Sequence, residues 1–143
     1  MKEKVRLTLY GVASGLFLII DQVIKQWCRH SGWQWREGGL GFGYWENTGI
    51  AFSLPFPNWL LLVLTPIVIL LLAFLLFHQP RYPWAIMLVI TGATSNLVDR
   101  FLYSITIDYL HFFTSIFNLA DVLIIGGGLF LLFGLYQPKK KES

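Results

Sequence analysis

The sequence is poor in charge and almost devoid of cysteine. Asp, Glu, Lys and Arg make up 13% of its 143 residues, hydrophobic residues 55%, and the mean hydropathy is +0.59. Soluble domains carry about 25% charge, so a water-soluble globular fold is excluded and a membrane protein is expected. Cys28 is the single cysteine, which rules out an internal disulfide and any cysteine-based metal set and leaves the redox compartment open. His30, His78 and His111 are scattered, and neither HExxH nor GxSxG occurs, so zinc-peptidase and serine-hydrolase signatures are missing. Aspartate is scarce too: of Asp21, Asp99, Asp108 and Asp121, the last three fall between Thr91 and Asp121. An ionisable side chain at membrane depth costs roughly 2.5 to 3.5 kcal/mol on insertion scales and is seldom kept there without a polar or aqueous task. That stretch is therefore where an active site is expected.

What is present is largely apolar and aromatic. Six Trp, six Tyr and twelve Phe suit a chain with two lipid–water interfaces to anchor. The net charge of +3 does not read as a nucleic-acid face, because the basic residues gather at the termini. Lys2, Lys4, Arg6, Arg81, Lys139, Lys140 and Lys141 outnumber Lys25, Arg29, Arg36 and Arg100 on the opposite side. By the positive-inside rule both termini are then cytoplasmic, and all four aspartates lie near the extracytoplasmic face.

Four transmembrane helices are expected, at approximately 5–27, 59–77, 84–101 and 119–136, in a single integral membrane domain spanning residues 1–143. The first apolar run, Leu7 to Ile20, is followed by DQVIKQW with no small-x-small cleavage site, so it reads as a retained helix rather than a signal peptide. Gly11 and Gly15 on it suggest close helix packing within the chain. Trp59 to Phe77 is nineteen residues without a charge, the length a core of about 30 Å requires, with Pro66 as a candidate kink. The loop from Cys28 to Asn58 is rich in Gly and Trp and suits short strands or an interfacial segment, while ITIDYL alternates enough to be extended. The fold class is an all-α polytopic membrane protein with a small extracytoplasmic β/loop region.

Asp21 and Lys25 stand i, i+4 in the favourable order and read as an ion pair. Gly92, Asn96, Asp99, Arg100 and Tyr103 share one helical face, where Asp99 and Arg100 can partner each other or groups around the site. Asp108 and Asp121 lie thirteen residues apart across a short loop and can reach one site. Two adjacent carboxylates do not easily both ionise, so one holds a proton while the other acts as a base, the division of labour of an aspartic protease. Competing readings stand beside this one. Asn118 and Asp121 have the spacing of a helix capping pair, Asp108 suits a solvated loop acid, and Ser95 with Lys25 forms a dyad if their helices meet at one depth. Asn47, in NTGIAFS, either places an amide against a substrate backbone or forms an Asn-Thr-Gly turn. Gly126, Gly127 and Gly128 offer a flat surface for close contact. A small proton-coupled transporter or channel component could use the same acids as a relay, but a relay runs through the bilayer, whereas these acids gather near one face.

Five blocks, DQVIK, NTGIAFS, GATSNLVDR, IDYL and FNLAD, occur in an order and layout that resembles the lipoprotein signal peptidase family, also called signal peptidase II. The resemblance covers nearly the whole chain. It implies an aspartic endopeptidase, multi-pass in the bacterial cytoplasmic (inner) membrane, that cuts prolipoproteins just before a diacylglyceryl-modified cysteine. It implies Asp108 and Asp121 as the catalytic pair, with Asp21, Lys25, Asn47, Asn96, Asp99, Arg100 and Asn118 in supporting positions. It implies no metal or organic cofactor, membrane lipid and a prolipoprotein as partners, no nucleic acid, and a monomer. Thr91 and Ser95 stand where that family commonly has glycine, Ile50 where a small residue is common, and Val122 where serine is.

Overall fold

The computed structural model describes residues 3–50, 54–78 and 82–136. Four helices, α1 (Glu3–Ser31), α2 (Asn58–His78), α3 (Pro83–Tyr103) and α4 (Leu119–Tyr136), are joined to strands β1 (Trp35–Glu37), β2 (Leu40–Asn47), β3 (Thr106–Phe112) and β4 (Ser115–Phe117). The strands form one antiparallel sheet in the order β1-β2-β3-β4. The architecture is helix-rich and membrane-type, with a small antiparallel sheet. Three helices, α1, α2 and α3, are long and apolar enough to cross a membrane, and α4 is apolar over the shorter stretch Leu119–Gly134. The expected helix at 5–27 runs on to Ser31, and the loop after it is largely strand.

Each helix wears its environment in its pattern. α2 buries no residue at all, as expected of an apolar run whose surroundings are lipid rather than protein. α3 is the opposite: Thr91, Gly92, Ser95, Asn96, Asp99 and Arg100 are buried at helical spacing, and α3 packs against α1, α2, α4 and β3. Pro83 begins it, where a missing N–H costs nothing, and Ser104 ends it in the left-handed region with its N–H on the Arg100 carbonyl. A Cβ at Gly92 would collide with the Ala120 carbonyl, so glycine there sets how closely α4 approaches α3. Gly127 presses likewise on the Ala85 carbonyl, whereas Gly126 and Gly128 meet nothing within 4 Å, so only one of the three serves close contact. Gly11 and Gly15 also face open space, which corrects the expectation that they seat a helix of this chain.

The sheet is built on tight turns. Gly38 and Gly39, both at positive φ, close the β1–β2 hairpin as a two-residue turn demands. β2 and β3 pair from Leu40↔Phe112 to Asn47↔Thr106, with a register shift between Phe42 and Trp45. This register brings Asn47 and Asp108 to one face of the sheet, over the end of α3.

Candidate active site

The base of the site is a buried charge network between α1 and α3. Lys25 Nζ lies 2.8 Å from Asp21 Oδ2 and 2.9 Å from Asp99 Oδ2, and it donates to Asn96 Oδ1 at 2.9 Å. Ser95 Oγ donates to Asp21 Oδ2, and Gln22 Nε2 reaches Ser95 Oγ at 2.9 Å and Asp99 Oδ1 at 3.0 Å. Asp21 Oδ1 accepts from the Tyr109 hydroxyl at 2.8 Å and from the Ala120 N–H at 3.3 Å. Charges removed from water are tolerated only when paired and hydrogen-bonded, and each group here has several partners. Burial, and then the adjacent Asp21, push the Tyr109 phenol above its ordinary range, so it stays a donor. Asp99 and Arg100 do not pair with each other, because successive helical residues point in different directions. Asp99 Oδ2 accepts from the Ile107 N–H at 3.1 Å, and Arg100 Nη2 donates to the Gly49 carbonyl at 3.0 Å.

Above this base sit Asp108 and Asp121, held by amides. Asp108 lies on β3 at 1% exposure, with Oδ1 accepting from Asn118 Nδ2 at 2.6 Å and Oδ2 from Asn47 Nδ2 at 3.0 Å. It is not a solvated loop acid. Asp121, in the first turn of α4, accepts from Asn96 Nδ2 at 2.8 Å and from the Asn118 N–H at 3.3 Å. Asn118 Oδ1 in turn accepts from the Asp121 N–H at 2.9 Å, so the capping pair forms as well as the carboxylate pair. Burial, and then the negative charge of Asp121, raise Asp108 from 3.8 to about 7, against hydrogen bonds from Asn47 and Asn118 that lower it. Asn47 also makes the Asx turn: its Oδ1 accepts from the Gly49 N–H at 2.9 Å while its Nδ2 faces Asp108. The turn reading therefore holds, and the side-chain amide is spent on Asp108 rather than left free for a substrate backbone.

Asp121 lines two grooves. One, of about 400 Å³, runs between the β3–β4 hairpin and α4, with Phe112, Phe117, Val122 and Ile125 as walls. The other, of about 350 Å³, lies among α2, α3 and α4, mostly apolar but with Asn96 and Arg100 at its polar end. Asp121 therefore stands where apolar substrate surface and a polar reacting group can meet. Among the described residues, no three His, Cys, Asp or Glu side chains converge as a metal-binding set.

A family model described as signal peptidase (SPase) II matches residues 13–137. The chain belongs to the signal peptidase II family. The lipoprotein signal peptidase of Syntrophomonas wolfei is 33% identical over 138 residues, covering 90% of this chain and 93% of that protein. That of Clostridium tetani is 36% identical over 115 residues, covering 73% and 74%. A solved bacterial membrane enzyme superposes with a TM-score of 0.84 over 95% of this chain and 94% of that one, at 23% identity. As a member of the signal peptidase II family, the protein is a membrane peptidase.

Every site residue expected from the sequence joins this one network. Asp21, Lys25, Asn96 and Asp99 form its base, Asn47 and Asn118 hold the upper carboxylates, and Arg100 ties α3 to the turn at Gly49. Ser95 and Lys25 do meet, at 3.4 Å, but both are buried and the ammonium is committed to two carboxylates, an arrangement of scaffold rather than of nucleophile and base. Two signal peptidase II network members escaped sequence reading, Gln22 and Tyr109. Each stands beside an aspartate in a quoted block, DQVIK or IDYL, and that adjacency was the available signal. Of NTGIAFS, residues 51–53 lie outside the described residues.

Proposed function

We propose that this family member is a membrane-embedded aspartic endopeptidase that removes the signal peptide from diacylglyceryl-modified prolipoproteins, cutting immediately before the lipidated cysteine. The observation that carries the catalytic type is the amide-bridged pair, in which Asn118 donates to Asp108 Oδ1 and, through its backbone, to Asp121 Oδ2. The names of the relatives, lipoprotein signal peptidases, carry the substrate class.

In this reading Asp108 holds the shared proton near neutrality, consistent with its upward shift to about 7. Asp121, at the positive end of the α4 dipole, takes a proton from the attacking water. The water oxygen bonds to the scissile carbonyl carbon while Asp108 protonates the carbonyl oxygen. Collapse of the tetrahedral intermediate breaks the C–N bond: one hydroxyl of the intermediate returns its proton to Asp108 as the carbonyl re-forms, and the proton gathered by Asp121 passes to the departing amine. Lys25 and the base network act on orientation: Lys25 holds Asn96, and Asn96 holds Asp121.

The protein is read as one integral membrane domain with α4 as a fourth span, both termini cytoplasmic and the site near the extracytoplasmic face. It is read as a monomer whose partners are membrane lipid and the prolipoprotein. Convergence of all four aspartates on one network, with α2 free of acids, favours a fixed reaction centre over a relay across the bilayer. Incubating the purified protein with a lipidated prolipoprotein and weighing the products by mass spectrometry tests the function. A cut elsewhere, or none, would overturn it.

A further inference from the structure

The β3–β4 turn is strained and aromatic at the same point. Phe113, the first of its two loop residues, has φ 54°, in the left-handed region that such turns normally give to glycine. A bulky aromatic is held there only where the surroundings over-determine the strained conformation. The turn is anchored by the Phe113 N–H on the Gly39 carbonyl, and absence of a Cβ at Gly39 lets the Phe113 ring lie over it. Despite this, Phe113 remains 62% exposed and Phe112, packed edge-on to it at 4.9 Å, 54% exposed. Leu40, paired with Phe112 across the sheet, is exposed beside them.

This patch is continuous with the apolar surface of α4. Phe112 is a wall of the 400 Å³ groove whose other wall is Val122 and Ile125. Val122, Ile125 and Leu129 are exposed at helical spacing, so one apolar stripe runs from the turn through the groove and down α4. A patch of this kind on a membrane protein, in line with helix surface that faces lipid, has lipid as its natural cover.

We propose that the Phe112–Phe113 tip inserts into the adjoining bilayer leaflet and seats the mouth of the Asp121 groove among lipid chains. This rests on the proposed placement of α4 across the bilayer. The tip makes the groove reachable sideways from the leaflet, so that the acyl chains of a bound substrate need not cross water.

The test uses the full chain in vesicles of phosphatidylethanolamine and phosphatidylglycerol. A small fluorophore is attached at Phe113→Cys and, for comparison, at Glu46→Cys on the exposed side of β2; native Cys28 is buried and stays unlabelled. The label at 113 is expected to be quenched by nitroxides on the lipid chains and shielded from aqueous iodide several-fold better than the label at 46. Iodide quenching equal at the two positions overturns the proposal. Shielding from both quenchers also overturns it, since the tip is then covered by protein, a second copy or a partner. Phe113→Asn gives an independent readout: asparagine tolerates this φ, so the thermal midpoint should hold or rise while KM for vesicle-embedded substrate rises several-fold with kcat unchanged. An unchanged KM would count against it. The quenching arms need no catalysis, so they stand even if prolipoprotein cleavage is not found.

Discussion

Asn118 and Asp121 cap one another: the Asp121 N–H donates to Asn118 Oδ1 at 2.9 Å, and the Asn118 N–H donates to Asp121 Oδ2 at 3.3 Å. The start of α4 and one of the two carboxylates are thus fixed by the same contacts. Asn118 Nδ2 carries the arrangement on to Asp108 Oδ1, so the helix terminus is also the bridge between the acids. A capping role and a catalytic role are usually weighed against each other, and here one geometry serves both the cap and the proposed catalytic pair.

Asn118→Ser separates them. Serine caps a helix about as well as asparagine but is too short to reach Asp108, so the cap should survive, while the buried acceptors that Asn118 Nδ2 serves, Asp108 Oδ1, Asn96 Oδ1 and the Ile107 carbonyl, lose it at a cost of about 1 to 3 kcal/mol. Cleavage should fall at least about tenfold, equivalent to roughly 1.4 kcal/mol of transition-state stabilisation. Thermal unfolding in detergent together with single-turnover rates reads both quantities. A rate unchanged in the folded fraction would reduce Asn118 to a structural role.

Asp108→Asn and Asp121→Asn should each lower cleavage by about a hundredfold or more, the lower range expected for a lost general acid or base, while the protein still accumulates in the membrane. Asp99→Asn should act differently. It takes one of the two carboxylates from buried Lys25, and breaking a buried pair costs on the order of 3 to 5 kcal/mol, so the amount of folded protein is the affected quantity. A stable but dead Asp99→Asn beside an active Asp108→Asn would reassign the pair.

The shift at Asp108 gives a pH dependence with a definite sign. The folded chain holds this proton up to about pH 7, whereas the ordinary value is 3.8. Between those limits the folded state binds more protons than the unfolded, so the contribution to stability is complete below about 3.8 and is lost as pH rises toward 7. Cleavage should decline as pH rises through about 7 and the pair becomes doubly ionised. Comparing unfolding midpoints of wild type and Asp108→Asn from pH 4 to 8 checks it: the asparagine variant should lack this fall. Identical profiles would show that another group titrates.

Much of this was legible in the chain because the membrane imposes strong patterns. The uncharged run Trp59–Phe77 is α2 nearly to the residue, and FNLAD announces the cap and start of α4. The acids were conspicuous because an apolar chain retains so few. The partners of those acids were harder to read. Asp99 pairs with Lys25 on another helix and not with its neighbour Arg100, a choice made by how α1 and α3 pack. The sheet was only half visible, because GGLGFGYW places small residues and aromatics without clean alternation and its register shifts between Phe42 and Trp45. Tyr109 had no assigned role in the sequence, because only the docking of β3 on α1 brings its hydroxyl to Asp21.

Reporter fusions at the two ends should both give the cytoplasmic signal, following from the excess of Lys and Arg near the termini. An extracytoplasmic C-terminus would overturn the four-span topology and, with it, the proposed location of the site.

Cleavage should depend on the lipid of the substrate cysteine. Asp121 borders a groove of about 400 Å³ whose other walls are almost wholly apolar, so acyl chains can lie within reach of the carboxylate proposed to take the proton of the attacking water. Burying a methylene from water is worth about 0.8 kcal/mol, which would make even a few decisive. Those chains come out of lipid, however, and most of that gain cancels. What remains is positional: chains held in the groove fix the depth and register of the scissile bond beside Asp108 and Asp121, and correct placement alone can lower a barrier by several kcal/mol. The lipid should therefore act more on kcat than on KM. Presenting one prolipoprotein with and without its diacylglyceryl group, at equal concentration in the membrane, measures this directly. Equal rates would sink the requirement, and a loss confined to KM would mean that the lipid only recruits substrate to the surface.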